Sequence, residues 1–538
     1  MPNITTVLSQ VSQHPASPGD EATFPQLTER GPITDAYVET TATGLVDAEE
    51  AEREMSRTTS RTAYNPDASS AEKGKPEHDA KLVTFLDDDP ENPRNFSQLT
   101  KWIVTVIATS MCFAVGISSS IITGGLRETR EEFHSSQEVV NLTVCVFVIG
   151  FGVGPMFMSP LSELIGRKLV YLISMGLFCI FSIPCAVAKS MAVLIVFRFL
   201  AGTAASVPMC NAAGSIADVW SINQRGFKMS AFSSMLFLSP CLGPLFGGYM
   251  AMNISWRWLY WLQCIMAGAL FLAVLVLMPE SYAPTILARR AKRLRKETGD
   301  SSIMTEQERR RRPTSEIVSE ALLRPFIMLC TEGIMIAFAG FLCLIYGLLY
   351  GFFFAYPIVF EQGHGFNSGQ TGLAFLGIFV GICICGCVFC PLQENYYQRK
   401  VLEGNGHADP EHRLPMMMVG AVILPISLFI FAWTSNPKTH WAGAVVSGIP
   451  FGCALVAIYI SANSYLVDTY NLYGASAMAA KTLIRSLAGA SVPIYMYARL
   501  GNEWAGSLLA FISVGMAPIP FLFWFKGAAL RKRSKMAS

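Results

Sequence analysis

Apolar runs of about 20 residues, the length that crosses a bilayer core, recur twelve times along the chain with short polar stretches between them. Six precede a long polar break, at roughly 102–122, 139–158, 169–188, 192–217, 229–250 and 259–278. Six follow it, at roughly 327–356, 369–390, 415–433, 441–467, 475–497 and 504–525. Backbone polar groups inside lipid must be satisfied within the segment, which makes each run a helix. The pattern predicts an all-α membrane protein of twelve transmembrane helices. The seventh run is long. It either extends past the bilayer or ends in a broken turn near Tyr356-Pro357.

The polar stretches divide the chain further. Residues 1–95 hold 18 acids and 8 bases, are rich in Ser, Thr and Glu, and are poor in aromatics. Such a segment cannot bury enough apolar area to order itself, so a disordered tail is expected. It ends in Asp89-Pro-Glu-Asn-Pro93-Arg-Asn95-Phe-Ser97, whose prolines and asparagines predict a rigid turn into the first helix at Trp102. The organisation that follows is a six-helix bundle over 96–278, a basic central loop over 279–325, a second six-helix bundle over 326–525 and a basic tail over 526–538. The opening Met-Pro-Asn-Ile-Thr-Thr lacks a basic n-region and apolar core, so the first span is expected to serve as the insertion signal.

Loop cations set the orientation. Arg167, Lys168, Arg225, Lys228, Arg399, Lys400 and Arg413 fall on one side, with the basic central loop and tail. Only Arg127, Arg130, Lys189, Arg257, Lys438 and Arg499 fall on the other. Both termini are therefore expected in the cytoplasm. The central loop, with its run Arg309 to Arg312 before Thr314 and Ser315, is expected to meet anionic inner-leaflet lipid. Asn253-Ile-Ser255 is a glycosylation sequon in an external loop, too close to the membrane for occupancy to be expected.

Composition agrees with a chain immersed in lipid: 52% hydrophobic, 15% charged and a net charge of +2. Its basic segments are short and tied to membrane ends, which argues against nucleic acid. The 14 cysteines lie mostly inside apolar runs and give no disulfide framework. The cluster Cys383, Cys385, Cys387 and Cys390 points several ways on one helix, so it is read as small-residue packing and no metal site is expected. A nucleotide-binding glycine loop and a nucleophile–base pair are both missing from the sequence, so neither ATP drive, an enzyme nor a cofactor is expected.

A few polar groups stand out against this background. Between the second and third runs lies Ser159-Pro-Leu-Ser-Glu163-Leu-Ile-Gly166-Arg167-Lys168. Gly166 permits a tight turn, Glu163 can pair with Arg167, and Asp218 at the end of the fourth run is a second possible partner. Pro160-Leu-Ser-Glu163 with Arg167-Lys168 recurs as Pro391-Leu-Gln-Glu394 with Arg399-Lys400, after the second run of each half. Two six-helix bundles related by duplication would produce this echo. Arg198 lies inside the fourth run, where a cation costs roughly 2.5–3.5 kcal/mol on insertion scales, so it should avoid lipid. Pro240, Gly243, Pro244, Gly247 and Gly248 crowd the fifth run and predict a bent, closely packed helix. Lys481 and Arg485 lie four residues apart in the eleventh run, on one helix face. Facing a wet cavity they would suit an anionic or electronegative substrate; alternatively Lys481 snorkels to the surface. Carboxylates are scarce, which leaves Glu332 and Asp468 to carry protons or to serve as helix-end charges. Tyr346, Tyr350, Tyr459, Asn463 and Tyr465 could line a cavity or simply pack the core.

These residues resemble the major facilitator superfamily, and within it the fungal twelve-span drug:proton antiporters. The resemblance covers about residues 85–530. It rests on Asp89-Pro-Glu-Asn-Pro-Arg-Asn, Arg198-Phe-Leu-Ala-Gly202, Gly243-Pro244-Leu-Phe-Gly247-Gly248, Trp256-Arg-Trp258 and Pro279-Glu-Ser-Tyr-Ala-Pro284. It implies two pseudo-symmetric bundles that rock about one midplane cavity and a charge network around Arg167 that shuts the inner gate. It also implies a cavity-facing Arg198 that assists proton coupling, and an antiporter mark in the fifth span. Ser159 and Glu163 depart from the glycine and aspartate usual there, and Lys481 stands where many relatives carry asparagine. The implied function is proton-driven export of a small organic molecule, a drug, toxin or metabolite, across the plasma membrane, by a chain expected to be monomeric. Uptake of an organic acid or sugar, export of a polyamine or organic anion, and a non-transporting nutrient sensor remain as alternatives.

Overall fold

The structure is a computed structural model that describes residues 81–86, 89–309, 314–404, 408–470, 474–491, 496–534 and 536. Most of the expected acidic tail and part of the Arg309 to Arg312 run lie outside the described residues.

Among the described residues eleven helices are long and apolar enough to cross a membrane. The first six spans begin with Gln98–Ser120, Gln137–Ile165 and Arg167–Ala186, and continue with Met191–Val219, Ile222–Asn253 and Arg257–Leu277. The seventh to tenth are Gly333–Gly363, Ser368–Glu403, Pro415–Thr434 and Ala442–Thr469, and the twelfth is Leu500–Arg531. The remaining predicted span, the eleventh, is the helix Gly474–Ser491. Lys481, Arg485 and its serines lower its hydropathy, and it is sheltered by the second, seventh and tenth spans, not by lipid. The seventh run does overrun its α-helix: a π-helical turn, Pro357–Gly363, continues it beyond Tyr356.

The two halves repeat one packing plan. In the first half the second span packs on the fourth, the third on the fourth and sixth, and the first on the fifth. In the second half the eighth packs on the tenth, the ninth on the tenth and twelfth, and the seventh on the eleventh. Each pairing maps onto the other by adding six to the span number, the relation that the sequence echo predicts. The halves meet where the second span touches the eleventh and the fifth touches the eighth.

The fifth span shows why its prolines and glycines matter. Pro244 has no N–H for the carbonyl of Pro240 one turn earlier. Ser120 of the first span fills the vacancy, its Oγ donating to the Pro240 carbonyl at 2.7 Å. At Gly247 a Cβ would strike the carbonyl of Ile121, and at Gly248 it would strike the backbone of Ser368 in the other half. The halves are thus closed on each other on the side away from the cation-rich loops, called the basic face below.

At the basic face the end of the acidic segment is ordered. Lys81–Leu82 (β1) pairs in parallel with Ile303–Met304 (β2) of the central loop. Asp89 and Glu91 hold Arg290, and Glu91 reaches Arg293 at 3.2 Å, on the helix Ala283–Thr298. Asn95 Nδ2 donates to the Asp89 carbonyl at 3.1 Å, and Ser97 caps the first span by accepting from Thr100 N at 3.2 Å. Arg295 pairs with Glu308 at 2.7 Å. Arg290, Arg293 and Arg295, expected to face lipid headgroups, turn to carboxylates of the chain itself.

Candidate functional site: a buried cation pair between the halves

Lys481 and Arg485 project from one face of the eleventh span into the protein and are 1% and 5% exposed. Snorkelling is therefore not what Lys481 does here. Its ammonium donates to Asn463 Oδ1 of the tenth span and lies 5.0 Å from the centre of the Tyr459 ring. Arg485 Nη1 donates to the Tyr459 hydroxyl at 2.8 Å, and its guanidinium stacks 4.2 Å from the Tyr346 ring of the seventh span. Tyr346 and Tyr350 lie one turn apart, ring centres 5.6 Å from each other. Tyr350 then crosses to the first half, its hydroxyl donating to Ser119 Oγ at 3.1 Å. Tyr459 crosses as well, meeting Phe237 of the fifth span edge-on at 4.6 Å. On the eleventh span's neighbouring positions, Gly152 of the second span leaves room for Ser486. Six of the seven residues named as cavity candidates, Tyr346, Tyr350, Tyr459, Asn463, Lys481 and Arg485, thus form one cluster where the halves meet. Tyr465 does not join it; its ring stacks on Phe338 at 4.7 Å.

Arg198 is placed differently from the cavity-facing role that the resemblance implies. It is 0% exposed and sealed inside the first half. Its Nε donates to the Thr143 carbonyl at 3.1 Å, Nη1 to Gln263 Oε1 at 3.1 Å, and Nη2 to the Ser118 carbonyl at 3.3 Å. The Phe147 ring covers it at 4.1 Å. One side chain so ties the first, second and sixth spans to the fourth.

Glu332 and Asp468, the acids named for proton carriage, sit at span ends on the basic face. Glu332 precedes the seventh span, accepts from Tyr470 Oη at 3.3 Å and from Ser534 Oγ, and borders a cleft of about 740 Å³ with Arg533. Asp468 ends the tenth span and pairs with Arg413 at 3.0 Å.

The charge network beside the third span is rebuilt around a different acid. Glu163 is exposed and does not pair with Arg167. Arg167 Nε reaches Asp218 at 3.4 Å, and its Nη1 donates to Ser162 Oγ at 3.0 Å. Gly166, at φ 100°, turns the chain so that Glu280 can accept from the N–H groups of Arg167, Ser281 and Tyr282 at 2.9, 3.1 and 3.1 Å. A carboxylate at a helix N-terminus is favourably placed by the macrodipole. Lys168 donates to the Leu275 carbonyl at 3.1 Å. In the second half Arg413 joins Asp468 and Glu394, at 3.0 and 3.1 Å, and lies 3.4 Å from the Tyr397 ring centre. Arg167 opens the third span and Arg413 precedes the ninth; Asp218 and Asp468 close the fourth and tenth. The repeat therefore pairs Arg167 with Arg413, not with Arg399 as the sequence echo suggests. Glu280 and Ser162 were both within quoted motifs, but nothing in their spacing announced these partners.

On the opposite face, Trp256 Nε1 donates to Glu132 at 2.6 Å, while Arg257 holds Glu132 and the carbonyls of Ala186 and Ala188. Asn253 is exposed on the last helical residue of the fifth span, and its amide donates to the Tyr249 carbonyl at 2.8 Å.

Residues 107–493 match the sequence profile of the Major Facilitator Superfamily. The chain is 42% identical over 510 residues to the MFS transporter paaT of Penicillium rubens, covering 94% of this chain and 92% of that one. It is 39% identical over 465 residues to the MFS-type efflux pump MFS2 of Trichophyton rubrum, covering 86% and 78%. The xylose transporter XylE of E. coli shares the fold, with a TM-score of 0.56 at 16% identity over 80% of this chain and 96% of that one. The chain belongs to the major facilitator superfamily: it is a multi-pass membrane transporter, and not an enzyme.

Proposed function

We propose that this protein exports a small organic molecule from the cytoplasm across the plasma membrane, by alternating access driven by the proton gradient. The observation that carries the reading is the cluster of Lys481, Arg485, Asn463 and Tyr459, facing Tyr346 and Tyr350 at the seam of the two halves. Polar groups gathered at such a seam and cut off from both surfaces are what an alternating-access site requires. The basic face is cytoplasmic by its excess of loop arginines and lysines. Closure of Gly248 against Ser368 of the other half then shuts the external side. Outward direction is supported by a relative whose name is efflux pump.

The exported compound can be found by screening toxic small molecules for tolerance conferred on an efflux-deficient host. In such cells a protonophore should raise the internal level of that compound several-fold; unchanged accumulation would remove the proton gradient from the mechanism. Uptake of an organic acid is the second reading, favoured by the same two cations. Net flux into energised cells, instead of out of them, would select it.

A further inference from the structure

The sequence places Arg198, Lys481 and Arg485 in the middle of spans and no aspartate or glutamate there; the acids of the spans, such as Glu138, Asp218 and Asp468, lie near their ends. The middle of the protein therefore carries cations without fixed counter-charge. Arg198 is content, with carbonyl oxygens and Gln263 around its guanidinium. Lys481 and Arg485 are not. Their hydrogen-bond partners, Asn463 and Tyr459, are neutral. Arg485 Nε is buried with no partner at all. Its Nη1 is taken by Tyr459, so the Nε–Nη2 edge is the one left open. That edge presents two parallel N–H bonds, the fork that fits both oxygens of a carboxylate. Lys481, one turn away on the same face, adds a second positive charge from the side. Two like charges this close, away from water, strengthen any anion that enters between them.

We propose that the transported molecule carries a carboxylate held between Lys481 and the open edge of Arg485, with a flat conjugated or aromatic body lying against Tyr346, Tyr350 and Tyr459. This rests on the export reading for the location of the site and adds to it the class of substrate. The aromatic walls are what select a planar body: the rings of Tyr346 and Tyr459 already stack on the two cations at 4.2 and 5.0 Å. An anion leaving the cell is also pushed outward by an inside-negative membrane potential. A protonophore dissipates that potential along with the proton gradient.

The test uses the full chain in proteoliposomes and three matched radiolabelled sets: benzoate and cinnamate, their amides, and the corresponding amines. The carboxylates should be transported at least tenfold faster than the amides or amines. Lys481→Met should abolish that preference, and Lys481→Arg, which keeps the charge, should restore most of it. Arg485→Gln should raise the half-saturating carboxylate concentration at least tenfold; gel filtration checks that each variant remains folded. Faster transport of the amides or amines, or carboxylate transport unchanged in both Lys481→Met and Arg485→Gln, would overturn the proposal and leave the export reading intact. Transport of none of the three sets by the wild-type protein would also overturn it; the export reading is then decided by the protonophore experiment alone.

Discussion

Arg198 and Lys481 look alike in the sequence, each a cation inside an apolar run, yet their surroundings differ. Arg198 forks onto carbonyls from two spans and an amide from a third, which needs a planar guanidinium. Arg198→Ala should leave those acceptors without donors and destabilise the protein by on the order of 3 kcal/mol. Arg198→Lys should recover little, because an ammonium cannot reach three helices at once. The check is the thermal midpoint of purified variants beside their transport rate. A variant that melts like the wild type but no longer transports would return Arg198 to the coupling machinery. Lys481 and Arg485 were legible as buried cations because the chain has so few charges in its spans. Their partners were not, since Asn463, Tyr459 and Tyr346 come from other spans and nothing local links them. Glu163 shows the converse: it had the right charge and spacing for Arg167, and the helix turned it to the surface.

At the scale of elements, apolar length identified the spans, and the eleventh was the instructive one. Its two cations make it poor as a lipid-facing helix, and the fold places it between other helices instead. The segment before the first span also has a structural role. Asp89 is buried, and the Arg290 guanidinium beside it, together with the Glu91 N–H, holds its carboxyl below the ordinary value of 3.8. A carboxyl depressed in the folded state contributes stability that is present above its unfolded value and is lost as pH falls through the folded one. The clasp on the helix Ala283–Thr298 should therefore hold at neutral pH and release only below about pH 3.8, and alkali should not loosen it through this group. Asp89→Asn should expose the central loop at pH 7, seen as faster trypsin cleavage there; equal cleavage rates would count against the clasp. Acidic residues in a polar tail gave no hint of this, because their partner lies two hundred residues away in the chain and is itself part of a basic run.

For the whole molecule, the arginine–aspartate pairs at the basic face each lie within one half, Arg167 with Asp218 and Arg413 with Asp468. A rigid rocking of the halves can carry both pairs along unbroken. The contact that must open and close is the one between halves, and on the side away from the basic face it depends on Gly248 lying against Ser368 and Gly369. Gly248→Val should prevent that closure and slow transport at least tenfold, with a melting point near that of the wild type. Transport at the normal rate would show that the seam away from the basic face closes elsewhere.

Hydrophobic length was enough to specify the helices and their alternation, because partitioning into lipid acts on each segment almost independently of the rest, and the motif echo after the second run of each half added the duplicated plan. Which side chains meet was settled only by tertiary packing. The four helices around Arg198, the tyrosines around Arg485 and the choice of Asp218 over Glu163 all depend on distances between segments far apart in the chain, and a pattern of local hydropathy contains no measure of those.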